Sequence, residues 1–120
     1  MANLIIREKS IFVRFTRFET LRALQKSFEI PLDKVRGATC DNEYIQSGLG
    51  LRSPGTGFPG YIAEGTFRKN GQKILSLWKK GQQVVVIELE DSRWDRILLG
   101  CIDAKATTTE LNRALNEQMK

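Results

Sequence analysis

Histidine is absent from the 120-residue chain, and cysteine is scarce, with two residues. Without histidine, a catalytic site would lack its most common general base, and we expect that the chain is not an enzyme. Cys40 and Cys101 are too far apart in sequence for a CxxC redox pair, and a zinc site would need carboxylate ligands as well. Both cysteines stand among apolar or small residues, which predicts buried thiols in a reducing compartment. We expect neither a bound metal nor a cofactor.

Long apolar runs are absent too. The longest, such as residues 84–87, are far too short to cross a bilayer, and the first ten residues lack the apolar stretch of a signal peptide. We therefore expect a cytoplasmic protein. The hydrophobic fraction of 41% and the charged fraction of 28% are ordinary for a globular protein, and 120 residues suffice for one core. The sequence predicts a single domain over residues 1–120.

Most of the patterns in the first 40 residues are typical of β-strands. The segment SIFVRF, at residues 10–15, alternates its side chains with the period of two that is typical of a pleated strand. Residues 28–32 and 34–40 are interpreted as two further short strands. A capping-box pattern that begins at Thr16 predicts a short helix over residues 17–27, after the first strand.

Turn signals divide the second half of the chain into strands. Asn70-Gly71 is the favoured pair for a tight hairpin, because both positions of that turn need positive φ. Further turns are predicted at residues 80–81 and at residues 91–92. These three links predict antiparallel hairpins in sequence, which together make a meander.

The tail of the chain has helical periodicity. A possible capping box formed by Thr107 and Glu110 predicts the start of an amphipathic helix. The apolar face of this helix consists of Leu111, Ala114, Leu115 and Met119. Trp94, at the start of the preceding strand, is expected to be buried and to close one end of the β structure against the helix; the alternative is an exposed anchor for an interaction partner.

Three segments of the chain resemble the bacterial pleckstrin-homology-like (PH-like) domains: IPLDKV, GLRSPGTGFPGYIAEGTFRKNGQ and VVVIELEDSRWDRILLGCIDAKA. The typical run of that family, R-x-P-G-T, P-G and G-x-F-R, is matched by Arg52, Pro54, Gly55, Thr56, Pro59, Gly60, Gly65, Phe67 and Arg68. The resemblance covers nearly the whole chain. It implies a mainly β fold, a partly open barrel of two packed antiparallel sheets with about seven strands and a C-terminal capping helix. It implies little about function, because this fold hosts many binding roles.

The segment GTGFPG, at residues 55–60, has the G-x-G-x-x-G spacing of nucleotide-binding loops. A dinucleotide-binding loop must start a helix, but the residues that follow here are strand-like. A protein kinase would need a catalytic loop and a metal-binding motif that this sequence does not contain. We interpret the stretch as a long loop in which glycine and proline carry the chain from one sheet to the other. The alternative is an anion-binding concavity of backbone N–H groups, flanked by Arg52 and Arg68.

The charges are unevenly distributed along a chain whose net charge is +5. No acidic residue lies between Gly65 and Ile87, although that segment contains Arg68, Lys69, Lys73, Lys79 and Lys80. Such a basic hairpin is either a solvated edge that lysines keep from aggregating, or a surface for an anionic partner. Specific nucleic-acid binding is not expected, because Trp78 is the only aromatic residue between Arg68 and Lys80 that could stack on a base.

Two functions of different classes follow from these features. The first is a non-enzymatic PH-like interaction module that binds a protein partner or associates with itself along sheet edges. The alternative is a binder of an anionic small ligand, or of lipid headgroups on a membrane surface, through the basic hairpin and the glycine-rich loop. The candidate ligand-binding residues for this alternative are Arg52, Gly55, Thr56, Gly57, Arg68, Lys69 and Lys73.

Overall fold

The computed structural model describes residues 3–14, 27–41, 51–58, 62–69 and 71–118. These residues are mainly β, as predicted, and form nine strands where about seven were expected. The strands are β1 (Asn3–Ile6), β2 (Ser10–Arg14), β3 (Phe28–Pro31), β4 (Val35–Cys40), β5 (Leu51–Phe58), β6 (Ile62–Lys69), β7 (Gln72–Lys79), β8 (Gln83–Leu89) and β9 (Arg96–Cys101). A turn of 3-10 helix (Leu32–Lys34) joins β3 to β4, and one α-helix, α1 (Ala104–Gln118), follows β9. The helix predicted over residues 17–27 lies outside the described residues, except for Ser27.

The strands form two sheets. The first is antiparallel and has the order β1-β2-β3. The second has six strands in the order β4-β8-β9-β7-β6-β5. This larger sheet is open, because its edge strands β4 and β5 do not pair with each other. The described strands therefore do not form a closed barrel.

The main core lies between the two sheets and α1. Its buried members include Ile11, Val13, Ile30, Leu75, Leu77, Val85, Ile87, Leu89, Ile97, Leu99, Ala104, Leu111 and Leu115. A second, smaller cluster consists of Phe67, Ile74, Trp78, Val84, Val86 and Leu98. Neighbours along a strand, such as Ile74 and Leu75, fall in different clusters because successive side chains point to opposite faces of a sheet. Strands β7, β8 and β9 are thus buried on both faces, which explains their continuous apolar runs in the sequence.

Trp94 is buried in the main core, as predicted, with 4% of its surface exposed. Its ring centroid lies 4.7 Å from that of Phe28, at the start of β3. The guanidinium carbon of Arg93 lies 5.0 Å from the centre of the Trp94 ring, a distance at which a cation–π contact is favourable. The tryptophan therefore joins the loop before β9 to the smaller sheet.

The predicted meander is correct at two of its three turns. Strand β6 pairs antiparallel with β7 around residues 70–71, and β8 pairs antiparallel with β9. The hairpin predicted at residues 80–81 is wrong, because β9 lies between β7 and β8 and runs parallel to β7. The prediction of two purely antiparallel sheets is wrong for the same reason.

The connection between β7 and β8 passes over the end of β9. Gln82 holds this connection in place: its side-chain Oε1 accepts the N–H of Lys79 (2.9 Å), and its carbonyl oxygen accepts Nε1–H of Trp78 (3.0 Å). Gly100 of β9 lies beneath it. A Cβ atom at this position would lie 3.0 Å from the carbonyl oxygen of Leu77 and closer still to the Gln82 side chain. The missing side chain of Gly100 therefore leaves room for the connection.

Helix α1 begins at Ala104, before the Thr107–Glu110 pattern that was predicted to cap it. Asp103 is the N-cap residue instead. Its side-chain Oδ1 accepts the N–H of Ala106 (3.1 Å), and its carbonyl oxygen accepts the N–H of Thr107 (3.2 Å). The predicted capping box is wrong, because Thr107 lies inside the helix, and the free N–H groups of Ala104 and Ala106 are accepted by Gln83 and Asp103.

The predicted apolar face of α1 is confirmed where the structure describes it. Leu111 and Leu115 are buried, Ala114 is half-buried, and Met119 lies outside the described residues. Within the described part of the chain, no helix is long and apolar enough to cross a membrane.

Candidate functional site

The glycine-rich stretch is a strand over most of its length, so the prediction of a long loop is wrong for residues 51–58. Strand β5 pairs antiparallel with β6. The register shifts between Arg52 and Gly55, which places Pro54 at a bulge, where an edge strand tolerates the missing N–H of proline. Residues 59–61 lie outside the described residues.

Strand β5 is one edge of the six-stranded sheet. Among the described strands, only β6 pairs with it, so the outer side of β5 has no strand partner there. From Gly55 to Phe58 the pairing with β6 is regular, with Gly55 opposite Gly65 and Gly57 opposite Ala63. The outer backbone groups of this segment form a regular row.

The basic hairpin is confirmed as a tight ribbon. Arg68 and Lys73 are direct partners across β6 and β7, and Lys69 faces Gln72. Arg68 is exposed and Lys73 half-buried. Two like charges directly opposite each other destabilise a sheet. Among the residues that the structure describes, neither of the two has an ion-pair partner.

Asp95, in the loop between β8 and β9, is hydrogen-bonded to this hairpin. The N–H of Lys73 donates to Oδ2 of Asp95 (2.8 Å), and the N–H of Asp95 donates to the carbonyl oxygen of Lys73 (2.8 Å). A carboxylate thus lies beside the start of β7. The charge of the hairpin is partly balanced by a residue far away in sequence, which the local charge pattern did not predict.

The structure divides the candidate ligand-binding residues into two groups. Arg68, Lys69 and Lys73 lie near the turn of the β6–β7 hairpin. Gly55, Thr56 and Gly57 lie farther along β5, opposite residues 65, 64 and 63. Gly55 is therefore separated from Arg68 by three positions along the strands, about 10 Å at the usual rise per residue. Arg52 lies closer to the hairpin, opposite Phe67. In the backbone register, Gly55 therefore lies away from the turn at which Arg68 and Lys73 are paired.

One polar cluster in the sheet was not predicted. Nε of Arg96 donates to both carboxylate oxygens of Glu88, at 2.9 Å each, and Nη1 of Arg96 donates to Oε1 of Gln72 (2.6 Å). Arg96 and Glu88 are direct partners across β8 and β9. In the sequence, the only signal for this ion pair was that Glu88 and Arg96 carry opposite charges on either side of the loop at residues 90–95. The pairing register of β8 and β9 was needed to predict their contact.

The two cysteines differ in environment. Cys40 is exposed, so the prediction that it is buried is wrong, while Cys101 is half-buried. Burial raises the pKa of the Cys101 thiol, and a hydrogen bond with the side chain of Thr107 opposes this rise. Among the described residues, no three or more Cys, Asp or Glu side chains lie close enough together to hold a metal ion.

Comparison of this chain with family models, with curated proteins and with solved structures finds no significant match. Membership of the PH-like family and a cytoplasmic location therefore stay predictions. The candidate surfaces rest on the geometry of the strand edge and of the basic hairpin.

Proposed function

We propose that this chain is a non-enzymatic interaction module of the PH-like kind, which binds another protein chain by adding a strand to the outer edge of β5. The observation that carries the proposal is the position of β5 at the end of the six-stranded sheet, without a partner on its outer side among the described strands. The two sheets and the C-terminal helix support the PH-like part of the proposal. The parallel contact of β7 with β9 departs from the antiparallel sheets of that kind of fold.

An exposed strand edge is a template for pairing, because its N–H and C=O groups on the outer side have no backbone partner. Natural edge strands are usually protected by charged residues, by proline or by a bulge. In β5 the proline and the bulge lie before Gly55, and residues 55–58 contain no charged side chain. An incoming strand would meet a regular row of backbone groups over these residues. A second copy of the chain is the simplest partner, with the two β5 strands antiparallel.

Hydrogen exchange at several protein concentrations tests this proposal. Sedimentation velocity gives the oligomeric state, and amide exchange read by mass spectrometry gives the segment that becomes protected. We expect residues 51–58 to gain protection as the protein associates, because their outer amides would then donate to a second strand. Residues 72–79, in the centre of the sheet, serve as the internal control and should exchange equally slowly at all concentrations.

Two results would contradict the proposal. One is a protein that stays monomeric up to the solubility limit, with unchanged exchange in residues 51–58. The other is an association that protects a different segment, which would place the interface elsewhere.

A second candidate function is the binding of an anionic small ligand or a lipid headgroup by the β6–β7 hairpin. The observation that favours it is the direct opposition of Arg68 and Lys73, because an anion between them would relieve their repulsion. We expect binding to vesicles that contain phosphatidylserine at low salt, and loss of this binding at raised salt or in Arg68→Glu/Lys73→Glu. The variant Lys105→Glu/Arg113→Glu changes the net charge equally on the exposed side of α1 and should still bind. Absence of wild-type binding at low salt would rule this candidate out.

A further inference from the structure

The opposite edge of the six-stranded sheet, β4, is occupied by a side chain of α1. The backbone N–H of Ala38 donates to Oδ1 of Asn112 (3.1 Å), and Nδ2 of Asn112 donates to the carbonyl oxygen of Ala38 (3.1 Å). One side-chain amide thus satisfies both backbone groups of an edge residue. Asn112 is 74 positions away in sequence, so only the packing of α1 on the sheet brings it there.

These two hydrogen bonds reproduce the contact that a neighbouring strand would make. A strand residue offers one N–H and one C=O, and a side-chain amide offers the same pair of groups. A carboxylate can only accept, and an apolar side chain can do neither. Asparagine therefore fills the place of a strand at Ala38 without extending the sheet.

The contact is not needed to bury the helix. Helix α1 contributes Ala104, Leu111 and Leu115 to the main core, whereas Asn112 is half-buried at the margin. Beside the contact runs an open groove of about 360 Å³, which is lined by Arg36, Gly37, Ala38, Thr39, Glu88 and Asn112. Arg36 and Thr39 are exposed. Arg36 and Cys40, the neighbours of Ala38 on the same side of β4, are both exposed.

We propose that Asn112 closes the β4 edge to strand addition, and that its removal turns this edge into a docking site for an extended strand of a second copy of this chain. A second copy presents the same strand, and two β4 edges that paired antiparallel about Ala38 would set Arg36 of each copy opposite the uncharged Cys40 of the other, so no like charges would face each other. An edge with free N–H and C=O groups attracts other strands unless something blocks it. The inference concerns the edge opposite β5 and does not depend on whether β5 binds a partner.

The variant Asn112→Ala tests the inference, with Asn116→Ala as the matched control. Asn116 lies one turn farther along α1 and is exposed, so its truncation changes the helix equally but leaves Ala38 paired. We expect Asn112→Ala to associate through β4. If the wild type associates through β4 at all, it should need a protein concentration about tenfold higher than the variant does. Hydrogen exchange should locate the new protection at residues 35–40, and Asn116→Ala should behave as the wild type does.

A folded Asn112→Ala that associates no more than the wild type would overturn the inference, as would new protection at residues 51–58 alone. If Asn112→Ala does not fold, Asn112→Asp serves instead, because a carboxylate keeps the acceptor for the Ala38 N–H but has no donor for its carbonyl oxygen. Because one of the two hydrogen bonds is kept, we expect Asn112→Asp to associate through residues 35–40 more than the wild type does, but less than a fully opened edge would. Wild-type behaviour of this variant would overturn the inference. A wild type that stays monomeric while Asn112→Ala associates through β4 contradicts the proposed role of β5 and supports that of Asn112.

Discussion

At the scale of single residues, the run Thr107-Thr108-Thr109 at the start of α1 places three identical side chains in three environments. The hydroxyl of Thr107 donates to the carbonyl oxygen of Asp103 (3.1 Å). The hydroxyl oxygen of Thr108 is buried and has no hydrogen-bond partner among the residues that the structure describes. Thr109 is exposed. A buried polar atom without a partner keeps the cost of its lost hydration, so we expect the Thr108 hydroxyl to reduce the stability of the fold.

Thr108→Val is therefore expected to raise the free energy of unfolding, by about 1 kcal/mol, because valine has nearly the same shape and no hydroxyl. Urea denaturation followed by circular dichroism measures the change. Thr109→Val is the matched control and should change stability by less than about 0.5 kcal/mol, since its side chain is in water in both states. Destabilisation by Thr108→Val would mean that its hydroxyl has a partner in solution.

At the scale of secondary-structure elements, the connection between β7 and β8 is the least expected feature. A turn with Gly81 at a φ of 95° resembles a hairpin turn in sequence, but the two strands it joins have β9 between them. Gly100 permits this arrangement, because its position beneath Gln82 has no room for a Cβ atom. Gln82 cannot move away freely, because its side chain accepts the N–H of Lys79.

Gly100→Ala is expected to lower the free energy of unfolding by about 1–3 kcal/mol, the usual cost of an added atom in a packed site. Gly37→Ala is the matched control. It also lies in a strand of the large sheet, but nothing lies within 4 Å of the Cβ atom that it would add, and we expect no loss of stability. Chemical denaturation of both variants measures the difference. A Gly100→Ala variant as stable as Gly37→Ala would show that the connection does not rest on β9.

At the scale of the whole molecule, α1 completes the main core between the two sheets. Ala104 and Leu111 are fully buried, and Leu115 is 9% exposed. Without the helix, the face of the large sheet beneath it would be in water, together with the edge of β4. The stability of a domain of this size is only about 5–15 kcal/mol, and the loss of buried contacts at Leu111 and Leu115, about 2–5 kcal/mol each, would remove much of it.

A chain that ends after Asp103 is therefore expected to be unfolded or aggregated, with no cooperative thermal transition by circular dichroism. A chain that ends after Gln118 retains all of α1 and should melt cooperatively, which makes it the control for truncation itself. A cooperative transition in the shorter chain would contradict the role given to the helix.

The predictions from sequence succeeded where one short segment decides the structure. The hairpin at residues 70–71 is confirmed, with Gly71 at a φ of 78°, because the turn chemistry of Asn-Gly is local. The burial of Leu111, Leu115 and Trp94 also follows from local periodicity and residue type. Within the candidate surfaces, the basic hairpin followed from the same turn, and its two-residue length sets Arg68 opposite Lys73.

The predictions failed where the decision depends on a distant segment. Glycine and proline in residues 51–58 indicate turns by their local preferences, yet β6 supplies a hydrogen-bonding partner that makes the stretch a strand. Asp103 competes with Thr107 as the helix cap, and both patterns are compatible with the sequence alone. Cys40 stands among small residues, but its strand lies at an edge, and it is exposed.

By itself, the sequence of this protein determined a mainly β chain with a terminal amphipathic helix, because strand and helix periodicity and turn chemistry act over a few residues. Only the tertiary structure decided the strand order. Any two strands can form the same backbone hydrogen bonds, so which strands become neighbours depends on how their side chains pack. The insertion of β9 beside β7, the edge position of β5 and the contact of Asn112 with Ala38 all follow from that choice. The two strand edges proposed for binding or protection are consequences of the strand order, whereas the basic hairpin follows from its local turn.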